Sequence, residues 1–145
     1  MPIWQTLSTK FQNLKDHFRP SVYRKIGGRK KISLIVNRFY FIMQNDPLAR
    51  DCLLTHPHPD QLEIPAEKLK DFLSGWLGGP QLFMQKYGHP RMRMRHMKFP
   101  ISTAAREQWL YCMRKSLEEN QVPESIKSEM MRALEDLSGI IQNRP

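Results

Sequence analysis

The sequence is short of cysteine, of long apolar runs and, over most of its length, of acid, and each shortage removes a class of protein. Only two cysteines occur among 145 residues. Cys52 and Cys112 each lie inside an apolar pattern and outside any C-x-x-C spacing, which excludes a disulfide scaffold or zinc knuckle and predicts reduced, buried thiols. No run approaches the ~18 apolar residues that a membrane span needs, and the first residues lack the apolar block of a secretory signal, so a soluble, cytoplasmic protein is expected. There is no Gly-x-Ser-x-Gly, no phosphate-binding loop and no HExxH, and the carboxylates read as surface partners at i to i+4 spacing. Hydrolysis and phosphoryl transfer drop out.

What is present describes a folded basic chain. It is 40% hydrophobic, carries 14 aromatic residues and has 23 Lys+Arg against 14 Asp+Glu, a formal charge of +9. That composition and length suit one domain with one core and exclude a disordered basic tail. The charge is uneven: residues 1–102 are +10 and residues 103–145 are −1. Two stretches hold no acid, residues 24–38 (Arg24, Lys25, Arg29, Lys30, Lys31, Arg38) and residues 86–98 (Lys86, Arg91, Arg93, Arg95, Lys98). An anion is expected near one of them: nucleic acid, an acidic lipid surface or a small anionic ligand.

Apolar spacing is helical almost throughout. Trp4, Leu7, Phe11, Leu14 and Phe18 form one amphipathic stripe that Pro20 ends. Ile32, Ile35, Val36, Phe39, Tyr40 and Met43 form a second, stopped at Asp46-Pro47. A third holds Leu69, Phe72, Leu73, Trp76 and Leu77 and meets Gly78-Gly79-Pro80, a helix stop. Ser102 or Thr103 suits the N-cap of a fourth, through Trp109, Met113 and Leu117. Pro123 suits the first turn of a fifth, through Ile126, Met130, Ala133, Leu134, Leu137 and Ile141. Residues 92–97 read as an irregular loop or short helix, and residues 46–65 as the least regular stretch. Five helices and nothing for a sheet predict an all-α fold.

Two of the stripes carry polar handles inward. Tyr40 brings a hydroxyl and Trp109 an indole N–H onto apolar faces, and a buried donor left unpaired costs ~1–3 kcal/mol. Either each bonds a backbone carbonyl at the edge of the core, or both donate to one bound polar ligand. Of the five histidines, His17 lies on the polar side of its helix, and His56 and His58, in His-Pro-His-Pro, have no Cys or acidic pair to complete a metal site. His96 stands among Arg91, Arg93, Arg95 and Lys98. Such company disfavours its protonation and leaves a lone pair for a metal, against the alternative of a solvent-facing loop histidine.

Tyr23 through Ile26-Gly27-Gly28, Phe39-Tyr40, Phe72-Leu73 and Trp76-Leu77-Gly78-Gly79-Pro80 resemble, in order, the group II truncated haemoglobins. Gly88-His89-Pro90-Arg91-Met92-Arg93-Met94-Arg95-His96, Phe99 and Trp109-Leu110-Tyr111-Cys112-Met113 continue the match, which spans roughly residues 20–140. The resemblance implies a globin-like two-over-two helical sandwich around one haem b, with residues 20–145 as the globin domain and residues 1–19 as a helical extension outside the family core. That extension is expected to pack on the globin surface, with a membrane-surface anchor or a dimer contact as alternatives.

By the same resemblance His96 is the proximal iron ligand, and Tyr40 and Trp109 are distal donors to a diatomic ligand. Leu69 takes the apolar distal position and Phe72 a core contact beside it. Arg95 and Lys68 are expected to pair with the haem propionates, and Phe83 to pack on the macrocycle. A corner histidine adds a third polar group: counting forward from Tyr40 selects His56, counting back from Leu69 selects His58. The expected function is binding of O2 and other diatomic ligands, directed to redox chemistry (peroxide reduction, NO dioxygenation) or sensing rather than oxygen delivery, with an acidic reductase as electron donor. The alternative is a basic helical module on nucleic acid or acidic membrane, which lacks a recognition motif.

Overall fold

The computed structural model of the protein describes residues 21–145. The amphipathic stripe from Trp4 to Phe18, with His17, lies outside the described residues.

The chain enters through α1 (Val22–Ile26), where the Ser21 hydroxyl accepts from the Arg24 N–H, and leaves it at Gly27, whose φ of +116° turns the backbone directly into α2 (Gly28–Asn45). Asp46-Pro47 ends α2 as its sequence requires. The stretch after it is more regular than expected: Asp46 caps a 3-10 turn, Pro47–Ala49, which runs into α3 (Arg50–Leu54). The following helices are α4 (Glu63–Trp76), α5 (Leu82–Tyr87), α6 (Met92–His96), α7 (Thr103–Glu119) and α8 (Glu124–Ile141). Ser102 caps α7 by accepting from the Ala105 N–H at 3.1 Å. Pro123 stands at the N-cap of α8, one position before the expected first turn. No strand occurs among the described residues, and no helix there is long and apolar enough to cross a membrane.

α2 packs on α4 and on α7, and α7 packs on α8, so two helix pairs meet in two layers. Phe39, Ile32, Ile35 and Met43 of α2, Leu73 of α4 and Met113 and Leu117 of α7 are fully buried between them. Each such side chain contributes roughly 1.5–3 kcal/mol on burial. Within this core the Ser116 hydroxyl donates to the Ile35 carbonyl at 2.6 Å, pinning α7 to α2. Cys52 and Cys112 are free and buried.

The acids are not all at the surface. Asp71 is wholly buried in α4, where its carboxylate receives Arg29 of α2 at 3.1 Å and Lys86 of α5 at 2.9 Å. Arg38, in the same acid-free stretch as Arg29, is ion-paired with Glu119. The excess charge of residues 24–38 is thereby reduced to Arg24, Lys25, Lys30 and Lys31.

Candidate functional site

A cavity of about 900 Å³ opens beneath α4 and α6, bounded by α2, α7, α8 and the corner that follows α3. Its walls are largely apolar; the polar groups that reach it include those the sequence singles out, together with Thr55, Gln61, Glu63, Arg106 and Ser138, which it does not.

His96 ends α6. Its Nδ1 lies 2.6 Å from the Met92 carbonyl oxygen, one turn earlier. A carbonyl only accepts, so Nδ1 carries the proton and Nε2 keeps the lone pair. Burial holds the imidazole pKa below its ordinary value, outweighing the Met92 bond that raises it. A neutral ligand nitrogen results. Among the described residues no three His, Cys, Asp or Glu side chains converge as a metal site. One imidazole fits a metal that arrives with most of its ligands already supplied.

Tyr40 is buried in α2, edge-on to Phe39 with ring centroids 4.8 Å apart. Trp109 of α7 is half-buried and meets the same Phe39 at 5.0 Å. Both line the cavity, and neither the Tyr40 hydroxyl nor the Trp109 indole N–H has a hydrogen-bond partner among the described residues. The alternative in which each bonds a backbone carbonyl is not realised. Burial pushes the Tyr40 pKa well above its ordinary value, which keeps the hydroxyl a donor at neutral pH.

The corner histidines differ. His56 is half-buried, its ring edge-on to Tyr40 at 5.9 Å, and its Nδ1–H donates to the Cys52 carbonyl at 3.1 Å. Burial lowers its pKa. His58 is exposed, and although it borders the cavity it has no ring contact with Tyr40.

Leu69 and Phe72 of α4 also face the cavity, Phe72 edge-on to Phe83 of α5 with centroids 6.3 Å apart. Lys68 lies with its ammonium 5.4 Å from the Tyr87 ring centroid. Arg95 is partly committed elsewhere: one guanidinium nitrogen donates to the Tyr87 and His89 carbonyls, both at 3.0 Å, over the face of Phe83. Its Nε is buried with no hydrogen-bond partner. Leu134, Leu137 and Ile141 of α8 complete the wall. Their inward periodicity is visible in the sequence, but nothing in it connects them to the site.

These features fit haem: apolar walls for a macrocycle, one imidazole lone pair for its iron, Lys68 and the Arg95 Nε for its carboxylates, and two unpaired donors for a ligand. Comparison with known proteins points the same way. Residues 21–143 match the bacterial-like globin family model. The group 2 truncated haemoglobin YjbI of Bacillus subtilis is 32% identical over 108 residues, 74% of this chain and 78% of that protein. The group II 2-on-2 haemoglobin of Agrobacterium tumefaciens superposes with a TM-score of 0.84 at 33% identity, over 88% of this chain and 98% of that one. A truncated, oxygen-avid haemoglobin from Bacillus subtilis, solved by X-ray, superposes at 0.76 and 31% identity, over 86% of this chain and 100% of that one. Matches of this extent, on a site of this composition, make the chain a member of the bacterial-like globins, a group II truncated haemoglobin that binds diatomic ligands through haem.

Proposed function

We propose that this globin holds a diatomic ligand in a donor-rich distal pocket and serves redox chemistry on that ligand rather than oxygen delivery. The observation that carries the reading is the pair of unpaired donors, Tyr40 O–H and Trp109 N–H, lining one cavity. When bound, haem supplies an iron centre that takes O2, NO or CO and exchanges electrons.

The protein's own groups do the rest. His96 presents Nε2 to the metal, with its tautomer set by Met92. Met92 thereby acts as the orienting partner that metal-bound imidazoles usually have. Tyr40 and Trp109 would donate to a ligand held at that iron, and His56 braces Tyr40 from the corner. Hydrogen bonds to a charged acceptor contribute ~1.5–3 kcal/mol each, so each donor slows ligand release roughly 10- to 100-fold. Release that slow defeats delivery. It suits a ligand held for peroxide reduction or NO dioxygenation, where the same donors stabilise charge as it forms. The oxygen-avid relative in Bacillus subtilis supports this direction. Lys68 and Arg95 serve the propionates, Phe72 and Phe83 pack on the macrocycle, and Leu69 keeps the ligand's surroundings apolar. Turnover draws electrons from outside, and an acidic reductase fits Arg24, Lys25, Lys30 and Lys31, which form no ion pair among the described residues.

The test is O2 dissociation measured in the wild type, in Tyr40→Phe, in Trp109→Phe and in the double variant. Faster release in each single variant and faster still in the double is expected. A double variant that releases O2 at the wild-type rate removes the distal network from the account.

A further inference from the structure

We infer that Asn143 is a positioning residue for His96: its side-chain amide fixes the end of α6 and through it the direction of the imidazole. The inference rests on His96 holding the haem iron, as proposed above.

α6 has little to hold it. It is five residues long, has no side-chain cap at its start, begins after Arg91 in the left-handed region at φ +41°, and contributes no buried residue to the core. A helix of that length is unstable alone, and its last carbonyls need partners from outside it. The Phe99 N–H gives the His96 carbonyl a local partner at 3.0 Å, and a second comes from beyond the far end of α8. Asn143 Nδ2 donates to the Phe99 carbonyl at 2.9 Å and to the carbonyl of His96 itself at 3.2 Å. Its Oδ1 accepts from the Ile101 N–H at 3.0 Å. The backbone N–H groups of Asn143 and Arg144 both donate to the Ile101 carbonyl, at 3.0 and 3.1 Å. Gln142 secures this strap to α7 by donating to the Thr103 hydroxyl at 2.7 Å.

The consequence is specific to the ligand residue. The imidazole is tied at Nδ1 to Met92, at the start of α6. The backbone that carries it is tied at the helix end by Asn143. Met92 rests against the core only partly buried, and Arg95 ties the middle of the helix to the Tyr87 and His89 carbonyls. Of the polar contacts, those of Met92 and Asn143 are the two that act on His96 itself, one on its ring and one on its backbone. A planar amide is required, because only it offers two donors and an acceptor in one plane.

The experiment uses the full-length haem-loaded protein as wild type, Asn143→Ala, Asn143→Asp and His96→Gly. Asn143→Asp has the same shape and keeps the acceptor for Ile101, but has lost both donors. Two readouts are taken: haem transfer to an excess of a haem-scavenging apoprotein, and the iron–imidazole stretching band of the ferrous protein by resonance Raman. Both Asn143 variants are expected to lose haem about 10- to 100-fold faster, as changes in the groups that orient metal ligands do, and to show a shifted or broadened band. Asn143 variants with the wild-type band and transfer rate overturn the inference, and so does a fall in melting temperature alone, which would make the strap merely structural. Should Asn143→Ala fail to fold, Asn143→Asp decides. A His96→Gly protein that keeps the band overturns the ligand assignment itself, a result separate from failure of the strap.

Discussion

Tyr40 and His56 stand edge to face, 5.9 Å between ring centroids and 84° between planes, although sixteen positions of chain and two short helical turns separate them. The contact gives the buried hydroxyl a fixed neighbour on the side from which the corner closes, and it distinguishes His56 from His58, which is exposed. His56→Ala is therefore expected to let the Tyr40 ring shift and to speed O2 release by up to ~10-fold, as loss of an orienting partner does. His58→Ala is expected to leave the rate unchanged. Stopped-flow dissociation of the two variants checks this, and equal effects would contradict the distinction between the two histidines.

The burial of His56 has a pH signature. Its folded-state pKa lies below the ordinary imidazole value of ~6.5, with burial as the main cause. As pH falls the unfolded chain takes up this proton first. The stabilisation from a neutral His56 is complete above ~6.5 and is lost as pH falls through the folded-state value. Urea midpoints of the apoprotein between about pH 8 and pH 5.5 should fall more steeply for wild type than for His56→Gln.

Asp71 joins three helices through Arg29 and Lys86, and it is the acid that sequence reasoning places wrongly, on a helix surface. Lys86 remains 51% exposed and returns to water when the carboxylate is removed, whereas Arg29, 33% exposed overall, faces Asp71 with a buried Nη1. Asp71→Asn is expected to cost about 1–3 kcal/mol in denaturant unfolding, below the cost of breaking a wholly buried pair. Lys86→Ala should cost under ~1 kcal/mol, as exposed partners do.

Gly79 reads in the sequence as a helix stop, and its packing role is invisible there. A Cβ at Gly79 would come within 2.5 Å of the Tyr23 ring, whose own backbone N–H donates to the Leu77 carbonyl at 2.8 Å. The Trp-Leu-Gly-Gly-Pro block is thus where α1 docks on the end of α4. Gly79→Ala should displace Tyr23 and destabilise the fold by about 1–3 kcal/mol, measurable by thermal unfolding.

These cases mark what a sequence can carry. α2, α4, α7 and α8 are legible because each is long enough to repeat an apolar spacing several times. α1, α3 and α5 are five or six residues long, too short for a period, and only tertiary contacts establish them; for α6, also five residues, the sequence leaves loop or short helix open. The Tyr40 hydroxyl and the Trp109 N–H are legible as donors on apolar stripes. That they go unpaired is not, since the nearest carbonyls depend on packing. The partners of Asp71, and those of Arg95 on the Tyr87 and His89 carbonyls, come from elsewhere in the chain and leave no local pattern.

The central claim is that His96 Nε2 holds the haem iron, and the visible absorption spectrum on haem titration tests it directly. Wild-type protein should bind one haem per chain with a Soret band, and His96→Gly should lose that spectrum and regain it when free imidazole is added. A His96→Gly protein that binds haem with the wild-type affinity and spectrum, indifferent to imidazole, would contradict the account.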